Sequence, residues 1–574
     1  MADKTRRQII ILGAGVMQGP VISIAGEMGL ETVVVDGDSA AVNARRADRF
    51  EHIDLKDKEG VEALARSLQK EGRLGGIITA GTDFSTTVAW VAERLGLPGI
   101  PYETALNASD KGRMRRRFRE AGVPSPPFIV LSSQASGAED GFAGGLPFNY
   151  PVVVKPVDNM GARGCRRVDS PAELAAALPP AFAFSRSGAV IVEAFMEGPE
   201  FSVDALVYHG EIAICGLADR HIFFPPYFIE MGHTMPAGID DDAAGRLIET
   251  FTAGVRALGL LDGAAAGAAK GDIKLTPSGP MIGEIAARLS GGYMSGWTYP
   301  YASGVEVTRG AIMAALGEKP RGLLPLRAWT AAERAFISIP GRVRSVIALR
   351  AAKAAPYVKD VFLRATPGTL VSFPENNVSK CGNIIAMAPA RAAAIAAAES
   401  AARMVLLPLV VPHAETAAFL DGSGDAGWPP SAYTVPPEIF ALLAAIPDPA
   451  PPSSCTEKEI VLAPFPALAG SDLRDWMGRT VAESLDAVRE ITGRSLPGAS
   501  SGVTDGEAVL GRRFWAALIR GGYQGAAYVT ECFAAGTAGI AGLAGGAGLA
   551  GGAGLAGGAG LAGGGADGSP GGGT

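Results

Sequence analysis

The sequence predicts an α/β protein whose middle is α+β, followed by a helical extension and a low-complexity tail. Over the first 108 residues, apolar runs alternate with helical patterns, as in a parallel sheet with right-handed crossovers. Beyond residue 110, apolar runs follow one another through short glycine- and proline-containing turns, the pattern of antiparallel strands. After residue 411 long strand patterns cease.

In chain order, QIIIL (8–12), GAG, an apolar helix-like stretch and ETVVVD (31–36) read as strand, turn, helix, strand. GGIITAG (75–81) reads as another buried strand, and LGLPGIP (95–101) as a short one with prolines. Gly13, Gly15 and Gly19 give GxGxxxG, which is not the GxGxxG dinucleotide fingerprint. Asp36 ends the second strand, where a ribose-binding acid sits in an NAD enzyme, yet a tight turn after a first strand needs glycine in any case. FNYPVVVKPVDNMGARGCRRV (148–168) is a buried strand, a glycine loop and a second strand. Residues 189–220 read as a strand, a short hinge and further antiparallel strands, and 243–260 as a helix. RAFISIPGRVRSVI and GTLVSFPENNVSKCGNIIAMAP form a small β-rich unit closed by a helix at 390–407. Residues 412–455 are proline-rich, a linker candidate. SDLRDWMGRTVAESLDAVREI and GRRFWAALIRGGYQGAAYVTECF are amphipathic helical patterns, and AGLAGG repeats between 541 and 564 make a flexible tail. Glycine disfavours helix by about 1 kcal/mol per residue, so that uncharged tail is a poor membrane span.

At 574 residues, 48% of them apolar, the chain can build several cores. Its net charge of −7 argues against a broad nucleic-acid surface but leaves room for a small anion held by local cations. The one basic cluster, Arg113, Arg115, Arg116, Arg117 and Arg119, reads as a solvated helix face. Five scattered cysteines without CxxC spacing suggest neither a disulfide frame nor a zinc site. With no secretory signal visible, a cytoplasmic location is expected.

The chemistry concentrates in GDIKLTPSGPMIGEIAARLSGG (271–292). Folded as a hairpin about Ser278, it pairs 276 with 280, 274 with 282 and 272 with 284, placing Asp272 beside Glu284 on one face. A bulge at Gly279 would slip that register by one. Like charges facing across a ladder repel. A divalent metal between them would relieve this, and Mg²⁺ usually takes one or two carboxylates plus substrate phosphates. Alternatively the acids pair with Lys270, Lys274 or Arg288 on a surface hairpin. The run PVVV delivers Lys155 into a strand, where a lysine needs an anionic partner, a phosphate for example. Gly161 and Gly164 follow in a loop whose backbone N–H groups could wrap a polyphosphate, although an ordinary hairpin loop has the same composition. Glu193, Ala194, Phe195 and Met196 end an apolar strand before Gly198-Pro199-Glu200, a hinge that exposes backbone groups to a base edge, with Glu200 placed for ribose hydroxyls.

The order VVVKP, glycine loop, VEAFMEGPE, then DIKL…GEIAARLSGG resembles the ATP-grasp superfamily, over roughly residues 8 to 410. The best-matching part looks like the carboxylate–amine (amino-acid) ligases, with carbamoyl phosphate synthase and biotin carboxylase more distant. The resemblance implies a Rossmann-like pre-ATP-grasp domain (1–108), an ATP-grasp domain of two α+β subdomains (109–320) and a β-rich subdomain of the ligase core (321–411). The linker (412–455), a helical accessory region (456–535) and the tail (536–574) lie outside it. By the same resemblance Lys111 and Lys155 contact the ATP phosphates under the loop bearing Gly161 and Gly164. Ala194 and Met196 read adenine, with Glu193 nearby and Glu200 on the ribose. Asp272 and Glu284 hold Mg²⁺ (or Mn²⁺), Arg288 steadies the reacting phosphate or acyl group, and Glu230 and His233 face the acceptor. For His233 a structural role is equally open. Many relatives carry asparagine two residues after the second acid; here it is Ala286. The implied activity is ADP-producing ligation of a small carboxylate to an amine, by a protein that could form a homodimer and that binds neither nucleic acid nor membrane. Two rivals stand beside it: an NAD-dependent oxidoreductase, and a non-catalytic ATP-binding regulatory or scaffold protein.

Overall fold

A computed structural model describes residues 6–133, 145–422, 428–447, 458–497 and 509–536. The chain divides into two compact units, Met1–Val410 and Val411–Thr574.

The first unit begins with a parallel sheet of β1 (Gln8–Leu12), β2 (Glu31–Asp36), β3 (Arg49–His52) and β4 (Leu74–Thr79), in the order β3-β2-β1-β4. Every residue of β1 is buried, because helices cover both faces of a parallel sheet. LGLPGIP forms no strand: after the helix Ser85–Leu95, Gly96 caps it in the left-handed region and the prolines carry the chain as a loop. Gly13 (φ 99) makes the turn after β1, and the Gln18 side chain packs over it. Asp36 accepts from Ala14 N at 2.7 Å and Asp38 N at 2.9 Å, so its carboxylate closes this turn instead of being offered to a ribose. The oxidoreductase reading therefore loses its acid.

Next comes an antiparallel sheet of β5 (Phe128–Ser132), β6 (Val152–Pro156), β7 (Arg166–Val168) and β8 (Ala189–Ala194), ordered β5-β8-β6-β7 and covered by the helix Pro171–Phe184. The largest sheet contains β9 (Glu200–Tyr208), β10 (Glu211–Phe223), β11 (Ile229–Met235), β12 (Ala266–Thr276), β13 (Gly279–Ala286) and β14 (Thr330–Phe336). After the two-residue strand β15 (Gly341–Arg342) come β16 (Val358–Leu363), β17 (Leu370–Val371), which pairs with β15, and β18 (Gly382–Ala388). The eight-stranded order is β13-β12-β9-β10-β11-β14-β18-β16. In the β-rich segment β14, β18 and β16 thus extend this sheet, while β15 and β17 form a two-stranded sheet of their own.

Two register shifts in this sheet set the direction of acidic side chains. In the β12–β13 hairpin Thr276 pairs with Gly279, not 280, so the turn is tighter than expected. The extra residue is taken up between Ile273↔Ile282 and Asp272↔Glu284, at Gly283, which restores the pairing of the two acids. Between β10 and β11, Gly232 pairs with His221 and Glu230 with Ile222, so Met231 is the bulged residue. That extra residue turns Glu230 and His233, three apart, toward each other.

In the second unit the helix Arg512–Ala534, kinked at Gly522, is buried along most of its length. The helices Ala414–Leu420 and Pro437–Ala444 belong to this unit, so residues 412–455 contain packed helices besides their prolines. The pattern starting at Ser471 becomes helical only at Val481–Thr492. Asp475 first accepts from Met477 N and Arg479 N in a turn, and Thr480 with Glu483 then forms a capping box. Among the described residues no helix is long and apolar enough to cross a membrane. The AGLAGG repeats lie outside the described residues.

Gly232 sits where β11 meets β14, and a Cβ there would stand 2.1 Å from the Glu333 carbonyl oxygen. Gly232→Ala is expected to cost about 1–3 kcal/mol by overpacking, read as a lowered thermal midpoint.

Candidate active site

Strand alternation builds the site. On β12, Lys270, Asp272 and Lys274 share one face, opposite Asp204, Ser202 and Glu200 on β9. Glu284 on β13 stands across from Asp272, and Arg220 on β10 across from Glu200. Against this polar face lie β6, β8 and the loop between β6 and β7, enclosing a cavity of about 380 Å³. Nine basic side chains and five acidic ones line it, an excess that suits a polyanion.

Every acid in the cavity is paired. Glu284 meets Lys111 at 3.1 Å. Burial alone would raise the Glu284 carboxyl, but Lys111, Lys270 and Lys155 hold it at about 2, although 36% of the side chain remains open. Asp272 pairs with Lys270 and, at 3.0 Å, with Arg220. Arg220 also bridges Glu200 and Glu230, the latter at 2.5 Å. Glu193 is nearly inaccessible and lies 2.6 Å from both Arg115 and Lys155; burial opposes its charge, yet these two cations lower its carboxyl. Behind the cavity, burial pushes the Asp204 carboxyl up to about 7 despite a hydrogen bond from Ser290.

Lys111, Lys155, Gly161, Glu193, Ala194, Met196, Glu200, Glu230, Asp272, Glu284 and Arg288 all line this one cavity. Gly164 and His233 do not. Gly164 turns the loop backward, so that a Cβ there would meet Phe184 and Pro156. His233 is wholly buried beneath Glu230, 3.5 Å from it and 3.2 Å from Glu333. Burial disfavours a charged imidazole, but the two carboxylates outweigh it and raise His233 above its ordinary value. At the apolar end, Phe195 and Phe228 stack with centroids 6.3 Å apart, and Lys274 donates to the Met196 carbonyl at 3.1 Å. Ala194 N–H is committed to the Pro127 carbonyl at 3.0 Å.

Sequence reasoning missed four residues. Arg115 is fully buried, not part of a solvated face. It lies on the stripe Lys111, Met114, Arg115, Phe118 that the helix Lys111–Ala121 turns inward, and that 3.6-residue period was the available signal. Arg220 joins three acids from three strands, which no local pattern announces. Asn377 and Lys380 grip the peptide of Glu230: Glu230 N donates to Asn377 Oδ1 at 2.8 Å, and Lys380 Nζ donates to Glu230 O at 2.6 Å.

Three family models match in chain order: an ATP-grasp N-terminal domain over 23–99, an ATP-grasp domain over 148–295, and an L-amino acid ligase C-terminal domain 2 over 335–408. Residues 148–295 thus match an ATP-grasp domain, within a chain that has the ATP-grasp fold. The protein y4rH of Sinorhizobium fredii is 26% identical over 406 residues, 68% of this chain and 81% of that one. Carnosine synthase 1 of Gallus gallus is 26% identical over 344 residues, 56% of this chain but only 36% of the relative, so the chain spans about a third of that enzyme. The crystal structure of L-amino acid ligase from Bacillus licheniformis superposes with a TM-score of 0.60 at 21% identity, covering 71% of this chain and 99% of that one.

Arg115→Met would leave buried Glu193 with one cation and is expected to cost about 3–5 kcal/mol in chemical unfolding. Because Glu284 is lowered from 4.5 to about 2 on folding, its contribution is complete above pH 4.5 and is lost as the pH falls toward 2. Glu284→Gln should therefore flatten the dependence of stability on pH within that window, measured as the unfolding midpoint against pH.

Proposed function

We propose that the chain uses ATP with Mg²⁺ to activate a small carboxylate as an acyl phosphate, which an amine then attacks, releasing ADP and phosphate. The facing pair Asp272 and Glu284, in one cavity with Lys111, Lys155 and Arg288, supports this reading most directly.

Adenine suits the apolar end, between Phe228, Met196 and Val153. A base edge needs both an acceptor and a donor. With its N–H taken, Ala194 would offer its carbonyl and Met196 its amide, while Glu200 would take the ribose. Lys111 and Lys155 would hold the phosphates under the loop bearing Gly161. Among the described residues no three or more His, Cys, Asp or Glu side chains converge as a metal centre. Two carboxylates are nonetheless what Mg²⁺ accepts when it arrives with phosphate oxygens, so Asp272 and Glu284 fit it, or Mn²⁺, and Ala286 adds no ligand. The metal would supply charge neutralisation on the phosphates.

The substrate carboxylate oxygen attacks the γ-phosphorus and the bond to the β-phosphate oxygen breaks. The amine nitrogen next attacks the acyl carbon and gives up a proton, and phosphate leaves with its electron pair. The protein contributes position and fixed charge, chiefly from Lys155 and Arg288. Glu230, with its peptide clamped and its carboxylate on Arg220, faces the acceptor, and His233 beneath it sets its orientation. A cytoplasmic setting and a homodimer belong to the same reading.

The test incubates the full chain with Mg-ATP and paired amino acids or small carboxylates and follows phosphate release. ADP, phosphate and a joined product should appear in equal amounts. Lys155→Ala should lower kcat by about 10²–10³-fold, the loss seen for a single oxyanion donor, with the fold retained. Undiminished turnover in that variant would count against the assignment.

A further inference from the structure

Asp204 takes no part in the chemistry above, yet it is an expensive residue to keep. It is 1% exposed on β9. One carboxylate oxygen, Oδ2, accepts from Ser290 Oγ at 2.5 Å. Ser290 is itself fixed, since Ser295 N donates to its hydroxyl at 3.0 Å and Ser295 Oγ to its carbonyl at 2.8 Å. The other oxygen, Oδ1, is buried with no hydrogen-bond partner among the described residues. A buried, unsatisfied carboxylate oxygen is destabilising unless something comes to meet it.

Directly across the β9–β12 ladder stands Lys270. Residues so paired have Cβ atoms about 5 Å apart, well within reach of a lysine side chain. The Lys270 ammonium nevertheless rests on Asp272, two residues along its own strand and on the same face. Asp272 is the carboxylate to which the proposed function assigns a divalent cation. An ammonium and a divalent ion cannot both occupy one carboxylate without strong repulsion. When the ion arrives the ammonium needs another acceptor, and Asp204 Oδ1 is the vacant one opposite it.

We propose that Lys270 has two resting places, Asp272 in the free protein and Asp204 once a divalent cation is bound, and that Asp204 is the positioning residue that makes the second place available. The inference rests on the ligase reading only in assigning the cation to Asp272. It explains why an acid with an unmet oxygen is kept behind the cavity. Without Asp204 the lysine would stay in competition with the metal.

The experiment measures binding rather than turnover. A non-hydrolysable ATP analogue is titrated calorimetrically into the full chain with and without Mg²⁺, for wild type, Asp204→Asn, Lys270→Met and the double variant. In Asp204→Asn the Mg²⁺-free affinity should change less than about twofold, while the gain from Mg²⁺ should shrink by about tenfold, the scale of coupling between neighbouring charges. Lys270→Met alone should keep the full gain, and adding it to Asp204→Asn should restore that gain, because the mobile competitor is gone while Arg220 stays held by Glu200 and Glu230. A rescue of this kind does not follow from a merely structural role. Equal Mg²⁺ gains in wild type and Asp204→Asn, or a loss that Lys270→Met does not relieve, overturns the proposal while leaving the ligase reading intact. No Mg²⁺ gain in wild type would overturn both. Should Asp204→Asn fail to fold, Lys270→Met still decides: a lost gain in that variant overturns the proposal.

Discussion

Asp272 and Glu284 stand opposite each other on adjacent strands, and the cavity is organised around the repulsion between them. Each carboxylate has its own cations, Lys270 and Arg220 for one and Lys111 for the other. Those cations come from β12, from β10 and from the helix Lys111–Ala121, so neutralising two acids ties together three elements distant in sequence. The same positive groups that quiet the acids make the cavity attractive to a polyanion. The counter-ions of the two acids and the basic lining of the cavity are one set of side chains.

Away from that pair, the charge pairing continues as a chain across the eight-stranded sheet. Asp272 meets Arg220, Arg220 meets Glu230, Glu230 meets His233, His233 meets Glu333, and Glu333 accepts from Asn383. Each link satisfies a group that would be costly to bury alone. Through Lys380 and Asn377 this chain of pairs is fastened to the segment that follows β17. Asn377 N also donates to Gly161 O at 3.0 Å, so the glycine loop and β11 share one neighbour. The β-rich segment is therefore part of the site as well as of the sheet.

Two bulges make this arrangement possible. Without the one at Gly283, the tight turn after Thr276 would place Glu284 on the opposite face from Asp272. Without the one at Met231, Glu230 and His233 would point to opposite sides of β11. Each costs a ladder hydrogen bond and re-aims one acid.

Much of this was legible in the chain alone. The pairing of Asp272 with Glu284 is the one that alternation about Ser278 gives, although the chain reaches it by a tighter turn and a bulge at Gly283 that no pattern announces. Lys155, Gly161, Glu193, Met196 and Glu200 could be placed because each sits at the end of a strand or in a turn, where local chemistry decides backbone direction. What only the tertiary structure decided are the partners. Arg115 finds Glu193 seventy-eight positions away, and His233 finds Glu333 one hundred positions away. Gly164 faces a helix rather than the cavity. LGLPGIP stays a loop although its composition permits a strand. Sequence patterns report periodicities of about two and 3.6 residues, which set the faces of elements. Which face meets which depends on long-range packing and on where buried charge can be neutralised, and no short-range pattern carries that information.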